Sequence, residues 1–128
     1  MAIDFHAHLI NVCKQYIPDI KLLYLFGSHA CNQVGANSDI DLAVLLTKKM
    51  STVTRWELQQ KLSLEFNVDV DLIDLLSAST VMQNQIVISG VCLYDANNHK
   101  GAFEVQVMSM YQHLNEERSS VLIAFKGS

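Results

Sequence analysis

The pattern of apolar and polar positions along the chain predicts a succession of strands and helices. Four segments have the composition of strands: 21–26, 39–46, 68–75 and 91–95. The first is almost entirely apolar, which is typical of a strand buried on both faces. In the second, Asp39 and Asp41 alternate with apolar residues, so both carboxylates are expected on one face of the strand.

Apolar residues at steps of three and four predict helices between these strands. The predicted helices are 4–17, 54–66, a segment from Ser77 or Ser79 to Ser89, and 102–125, with a short helix at 28–33. Asp4 is the expected cap of the first helix and Pro18 its end. Gly90 is expected to terminate the helix before the last strand.

The helix at 54–66 has a local start signal. Thr54 and Glu57 have the spacing of a capping box, in which the two side chains satisfy backbone N–H groups at the helix start. Apolar residues follow at helical spacing as a predicted core stripe: Leu58, Leu62 and Phe66. Trp56 is expected beside that stripe.

These elements predict an α+β fold in which helices flank a small mixed β-sheet. A single domain is expected over residues 1–128, with its core at about 21–95, because the sequence shows no repeat, linker or low-complexity tract. The long C-terminal helix has apolar residues along much of its length. Its apolar side could pack on the core or face a partner, and the pattern leaves both open.

Composition limits the class of protein. Half of the 128 residues are apolar, which is enough for a sizeable core. No apolar run reaches the length of a membrane span, and the first residues lack the basic start and apolar stretch of a signal peptide. The three cysteines are widely separated, which favours reduced thiols and a cytoplasmic protein.

The distribution of charge argues against a nucleic-acid partner. The net charge is −4, and the nine Lys and Arg residues are scattered along the chain. Proteins that bind nucleic acid through its phosphates usually concentrate basic residues in one patch or stripe.

The candidate chemistry lies between the first two predicted strands, in Gly27-Ser28, ten further residues, and Asp39-Ile40-Asp41. Two neighbouring carboxylates repel each other, and a divalent cation between them relieves the repulsion. Carboxylate oxygens suit Mg²⁺, which commonly sits beneath a phosphate. Gly27 lets the backbone approach closely, and a helix starting at Ser28 would direct N–H groups toward an anion.

The third predicted strand adds more acidic residues. Asp69 and Asp71 are expected on one face, and Asp74 on the other. One interpretation is an edge strand that is acidic for solubility. The other is that Asp69 or Asp71 completes a carboxylate triad with Asp39 and Asp41.

The Gly-Ser, ten-residue, Asp-x-Asp spacing resembles the motif of the DNA polymerase beta-like nucleotidyltransferase superfamily. It is most similar to the small proteins called minimal nucleotidyltransferases (MNT). A segment near the last strand also resembles that family, with Gln85-Ile86, Gly90 and Leu93-Tyr94 at matching positions. The resemblance covers residues 21–94.

The resemblance implies a polymerase beta-like palm and assigns roles to residues. Asp39, Asp41 and Asp71 would be the catalytic residues and the ligands of two Mg²⁺ ions. Asp71 is preferred over Asp69 because Val70-Asp71-Leu72-Ile73 matches the family pattern of the third carboxylate.

The resemblance also implies that Gly27, Ser28 and His29 bind the phosphates of ATP. The chain departs from its family at this turn. Many minimal nucleotidyltransferases resemble Gly-Ser-Arg-Ala-Arg-Gly here, whereas this chain has Gly27-Ser28-His29-Ala30-Cys31-Asn32.

The function implied by the resemblance is that of the antitoxin in a HEPT–MNT toxin–antitoxin pair. The antitoxin binds a small helical HEPT toxin and neutralises it by Mg²⁺-dependent transfer of AMP from ATP to a toxin tyrosine. Two other functions stay open: an antitoxin that acts by binding alone, and a nucleotidyltransferase that modifies a small molecule.

Overall fold

The computed structural model describes residues 2–27 and 39–127, with side chains described over 5–27 and 39–118. Eight elements follow in chain order: α1 (Ala2–Tyr16), β1 (Leu22–Phe26), β2 (Ile40–Leu45), α2 (Thr52–Phe66), β3 (Val70–Asp74), α3 (Thr80–Ser89), β4 (Val91–Asp95) and α4 (Lys100–Gly127). Ser28, His29 and the predicted helix at 28–33 lie outside the described residues.

The four strands form one mixed sheet in the order β3-β2-β1-β4. β1 runs antiparallel to both of its neighbours, β2 and β4, whereas β2 and β3 are parallel. The predicted α+β fold with a small mixed sheet and a long C-terminal helix is confirmed. β3 is an edge strand of this sheet, shorter than the predicted 68–75.

Alternating residues of the strands supply two separate cores, one on each face of the sheet. On one face, Leu23 and Leu42 pack with Leu9 of α1 and Leu62 of α2. On the other face, the core unites residues of the sheet with residues of α3 and α4: Leu22, Tyr24, Ala43, Leu45, Leu75, Ile86 and Phe103. Asp41 falls on this second face, in alternation with Ile40 and Leu42.

Side chains of α2 cover the outer edge of β3. Ser63 Oγ accepts a hydrogen bond from the Val70 N–H at 2.9 Å, and Gln59 Oε1 accepts one from the Leu72 N–H at 2.9 Å. Arg55 Nη1 donates to the Leu72 carbonyl at 3.1 Å. An exposed strand edge is a template for unwanted pairing, and these contacts protect it.

Helix α2 corrects two expectations from the sequence. The cap is Ser51 and not Thr54, because Ser51 has extended backbone angles and its Oγ accepts a hydrogen bond from the Thr54 N–H at 3.1 Å. Trp56 is 56% exposed, so it lies outside the core. The helix is oriented by the bonds of Arg55 and Gln59 to β3, and that orientation turns Trp56 toward solvent.

The far end of β3 is closed by a buried carboxylate. Asp74 is only 3% exposed, and its oxygens accept hydrogen bonds from the Met50 N–H (2.8 Å), the Leu76 N–H (3.1 Å) and the Ser77 hydroxyl (3.0 Å). These bonds fix the chain before α2 and the turn after β3. Ser79, one of the two predicted starts, caps α3 through a bond from the Met82 N–H.

Helix α4 is joined to the sheet by a buried polar contact as well as by apolar packing. The Tyr24 hydroxyl donates to Glu104 Oε2 at 2.6 Å, and Val107 is buried nearby along the helix. Burial raises the pKa of Tyr24 most, and the hydrogen bond to Glu104 raises it further. Within the described residues, the helices lack the combination of length and apolar composition that a membrane span requires.

Candidate active site

Asp41 lies on β2, between β1 and β3, at one end of the sheet. It is the partner of Phe26 in the antiparallel ladder with β1 and of Asp71 in the parallel ladder with β3. Residues opposite each other on paired strands point to the same face, and their strands are about 4.8 Å apart. The register therefore brings the Asp41 and Asp71 carboxylates together on one face.

Gly27 closes the same end from the β1 side. Its φ of +74° lies in the left-handed region, and a Cβ added there would collide with Oδ2 of Asp41. Any other residue would displace the carboxylate or the turn. From sequence, this glycine is expected to admit a phosphate. The structure adds that it also makes room for Asp41.

Asp39 and Asp69 stand where β2 and β3 begin. The Ile40 N–H donates to the Asp69 carbonyl at 2.9 Å, which holds the two strand starts together. Both residues are exposed, and both line an open pocket of about 450 Å³ with residues from the end of α2: Gln60, Ser63, Leu64, Asn67 and Val68. The pocket therefore lies between the starts of β2 and β3 and the end of α2.

The fold thus makes Asp41 and Asp71 neighbours on one face at one end of the sheet, and Asp39 and Asp69 lie at the strand starts of the same end. Asp71 is exposed, and Asp41 is half-buried between the neighbouring strands. Across the described part of the chain, no three His, Cys, Asp or Glu side chains are arranged closely enough to hold a metal ion. Gly27 is where the motif predicts it, and Ser28 and His29 are outside the described residues.

The donor chemistry of this end fits Mg²⁺. The candidate ligands Asp39, Asp41 and Asp71 offer carboxylate oxygens, and hard divalent cations prefer oxygen to thiolate or imidazole ligands. The contact between the Gly27 turn and Asp41 leaves the carboxylate directly beside the proposed phosphate-binding turn. A cation that bridges a carboxylate and a phosphate would need that adjacency.

Comparison with known proteins decides the family. The model of the family described as "Polymerase beta, Nucleotidyltransferase" matches residues 7–99. This protein belongs to that family. The polymerase beta-like nucleotidyltransferase predicted from the Gly-Ser and Asp-x-Asp motif is therefore confirmed, and the chain is a nucleotidyltransferase whose substrate is a nucleotide.

One curated relative within the nucleotidyltransferase family is similar over most of its length. It is the protein adenylyltransferase MntA of Shewanella oneidensis strain MR-1, which is 43% identical over 114 residues, 89% of this chain and 82% of MntA. The predicted relationship to a protein adenylyltransferase is confirmed.

Solved structures of nucleotidyltransferases extend the similarity to complexes. A toxin–antitoxin crystal structure with AMP-PNP contains a chain that is 40% identical, with a TM-score of 0.84 and coverage of 94% of this chain and 98% of that chain. A second structure holds a tri-AMPylated Shewanella oneidensis HEPN toxin with its MNT antitoxin. The matching chain of that structure is 38% identical, with a TM-score of 0.81 and coverage of 98% of this chain and 99% of that chain.

The α2 contribution to this end of the sheet is the part that the motif does not predict. Gln60, Ser63 and Leu64 reach the pocket beside Asp39 because α2 runs along β3 and ends where β3 begins. The only sequence signal is a set of uncharged residues at helical spacing on a helix whose core stripe lies elsewhere. That signal can be interpreted only when the orientation of α2 on the sheet is known.

Proposed function

We propose that this protein is an antitoxin that transfers AMP from ATP to a tyrosine hydroxyl of a helical HEPT-type toxin, with Mg²⁺. The 43% identity to MntA, named a protein adenylyltransferase, supports the reaction. The similarity to an MNT antitoxin in complex with a tri-AMPylated HEPN toxin supports the partner and the group transferred.

The observation that carries the proposal is the register between β2 and β3. Asp41 and Asp71 are direct neighbours on one face, and the Gly27 turn touches Asp41 from the other side. Strands hold side chains rigidly, and nucleotidyl transfer depends mainly on positioning and electrostatics. The arrangement supports a site in which a phosphate lies near β1 and an acceptor near β3.

The transfer itself forms one bond and breaks another. The tyrosine oxygen attacks the α-phosphorus of ATP, and the bond from that phosphorus to the oxygen bridging to the β-phosphate breaks. Pyrophosphate leaves with the bonding electron pair. We assign the acceptance of the hydroxyl proton to Asp71, because it is the exposed carboxylate of the strand farthest from Gly27.

We assign the triphosphate to the turn that begins at Gly27, with Ser28 and His29 as the further phosphate-binding residues. Asp39, Asp41 and Asp71 would hold the two magnesium ions. When bound, Mg²⁺ supplies positive charge to the phosphate oxygens and makes the acceptor hydroxyl easier to deprotonate.

The test is AMP transfer from α-labelled ATP in the presence of Mg²⁺ to a HEPN toxin, with that of Shewanella oneidensis as the probe. We expect label on the toxin with the wild-type protein and none with the Asp39→Asn, Asp41→Asn variant. Equal labelling by both proteins would contradict the proposed reaction. If the Asp39→Asn, Asp41→Asn variant does not label the toxin but neutralises it as well as wild type does, the protein is an antitoxin that acts by binding alone. If the protein transfers AMP to a small molecule in the absence of toxin, it is a small-molecule nucleotidyltransferase.

A further inference from the structure

Helix α2 exposes two parallel stripes of different chemistry. The apolar stripe consists of Val53, Trp56 and Leu64, with the polar Gln60 between the last two, and the charged stripe beside it consists of Glu57, Lys61 and Glu65. The three large apolar side chains of the first stripe are 64%, 56% and 83% exposed in chain order. Scattered single apolar residues are normal on a surface, but a row of three large ones that includes Trp is typical of an interaction site.

The C-terminal end of the apolar stripe borders the open pocket at the starts of β2 and β3. Leu64 and Gln60 line the same 450 Å³ pocket as Asp39 and Asp69. A surface that continues into the pocket can hold a large molecule while one of its side chains reaches the carboxylates.

The order of the strands places the Gly27 turn and Asp71 on opposite sides of Asp41. Gly27 follows β1 on one side of Asp41, whereas Asp71 lies on the edge strand β3 on the other side. Helix α2 bonds to the outer edge of β3, so its apolar stripe stands on the side away from the phosphate-binding turn. With the triphosphate assigned to the Gly27 turn, the α2 side is the side left for an acceptor.

We propose that the apolar stripe of α2 is the surface on which the acceptor protein docks to present its hydroxyl to Asp71. This inference rests on the proposed function. The stripe carries no Lys or Arg, which argues for a protein surface and against nucleic acid. It ends beside the carboxylates of Asp39 and Asp69, so the complementary occupant is an apolar helix face flanked by basic residues near its acceptor hydroxyl.

The experiment compares two double substitutions on the same helix, with the Shewanella oneidensis HEPN toxin as acceptor. Trp56→Ser, Leu64→Ser removes the apolar stripe, and the matched control Glu57→Ser, Glu65→Ser alters the charged stripe. We expect the first pair to raise the KM for toxin about 100-fold or more, because truncating a central interface residue commonly costs tenfold or more. The control should change this KM less than about threefold, as rim and surface charges contribute little.

Two readouts separate the docking surface from folding and from chemistry. The rise in Tm caused by Mg²⁺ and ATP should be the same in both double variants, which shows an intact fold and nucleotide site. A KM for toxin unchanged by Trp56→Ser, Leu64→Ser would overturn the docking surface while leaving the reaction standing. Absence of label with the wild-type protein would instead sink the proposed reaction.

Photocrosslinking tests the surface without relying on catalysis. A benzoylphenylalanine at position 60, within the apolar stripe, should capture the toxin. The same group at position 61, in the charged stripe, should capture little. Capture of a second copy of this chain from position 60, or equal capture of toxin from both positions, would show that the stripe is not the acceptor surface.

Discussion

The two ends of the β2–β3 pair use the same residue type for opposite purposes. At one end Asp71 is exposed and faces the same side as Asp41, and Asp41 adjoins the Gly27 turn. Three residues along the same strand, Asp74 is buried and accepts hydrogen bonds from Met50, Leu76 and Ser77. One end is open to a ligand, and the other is closed by the protein's own donors.

The contrast shows how to tell a functional carboxylate from a structural one. A buried carboxylate whose oxygens are matched by backbone and hydroxyl donors contributes to stability, and its removal leaves those donors unsatisfied. Carboxylates gathered on an exposed strand end repel each other and gain little from folding. We therefore expect substitutions at the two ends to separate activity from stability.

The largest effect is expected on activity at the open end. Asp71→Asn should lower the initial rate of AMP transfer on the order of 1,000-fold, because an assigned proton acceptor and metal ligand loses its charge. Its free energy of unfolding should stay within about 0.5 kcal/mol of wild type, as is usual at an exposed site. Transfer assays and urea unfolding measure the two quantities.

Asp69→Asn is the matched control for that substitution. Asp69 is also exposed and lies two residues earlier, but the register pairs Asp71, not Asp69, with Asp41. We expect the control to keep its transfer rate within about tenfold of wild type, since the exchanged charge lies only at the rim. A large loss in Asp69→Asn combined with a small one in Asp71→Asn would reverse the assignment of the third carboxylate.

At the closed end, the effect should fall on stability. Asp74→Ala should lower the free energy of unfolding by about 3 kcal/mol, because it leaves two backbone N–H groups and a hydroxyl without their acceptor. Urea unfolding measures this loss, with Asp69→Ala as an exposed control that should change it by less than about 0.5 kcal/mol. A loss no larger than that of the control would refute the structural role of Asp74.

A smaller effect is expected at the Gly27 turn. Gly27→Ala should lower the free energy of unfolding by about 1–2 kcal/mol, because Ala is strained at a φ of +74° and its Cβ collides with Asp41. Transfer should fall as well, because Asp41 must move.

Gly101→Ala is the control for the turn. A Cβ at Gly101 meets no atom within 4 Å, and the residue lies in α4, so the change should stabilise by up to about 1 kcal/mol. Equal stabilities for the two Ala variants would contradict the close approach of Gly27 to Asp41.

Local patterns account for the parts of this comparison that the sequence predicts. Apolar runs and alternation predict β1, β2 and β4 closely, and the spacing of Gly27, Asp39 and Asp41, at the adjoining ends of two paired strands, is the motif of the family. The preference for Asp71 over Asp69 agrees with the β2–β3 register, although the role of Asp71 stays a prediction.

Contacts between distant segments account for what the sequence does not predict. Asp74 owes its role to donors that include Met50, 24 residues away. Trp56 is turned outward because Arg55 and Gln59 form hydrogen bonds to the edge strand β3. The periodicity of apolar residues along the helix does not predict these bonds. Ser51 and Thr54 are both good caps, and only the backbone path before α2 selects Ser51.

The smallest expected effect concerns Tyr24, which joins β1 to α4. Tyr24→Phe should lower the free energy of unfolding by about 1 kcal/mol at pH 7, through loss of the bond to Glu104.

Burial raises the pKa of Tyr24, so above its ordinary value near 10 the unfolded chain releases this proton and the folded chain keeps it. The wild type then loses up to about 1.4 kcal/mol per pH unit from this group, and Tyr24→Phe loses none from it. Urea unfolding between pH 7 and 11 should show the gap between the two proteins narrow above pH 10; a constant gap would mean that Tyr24 ionises as readily in the fold as in the unfolded chain.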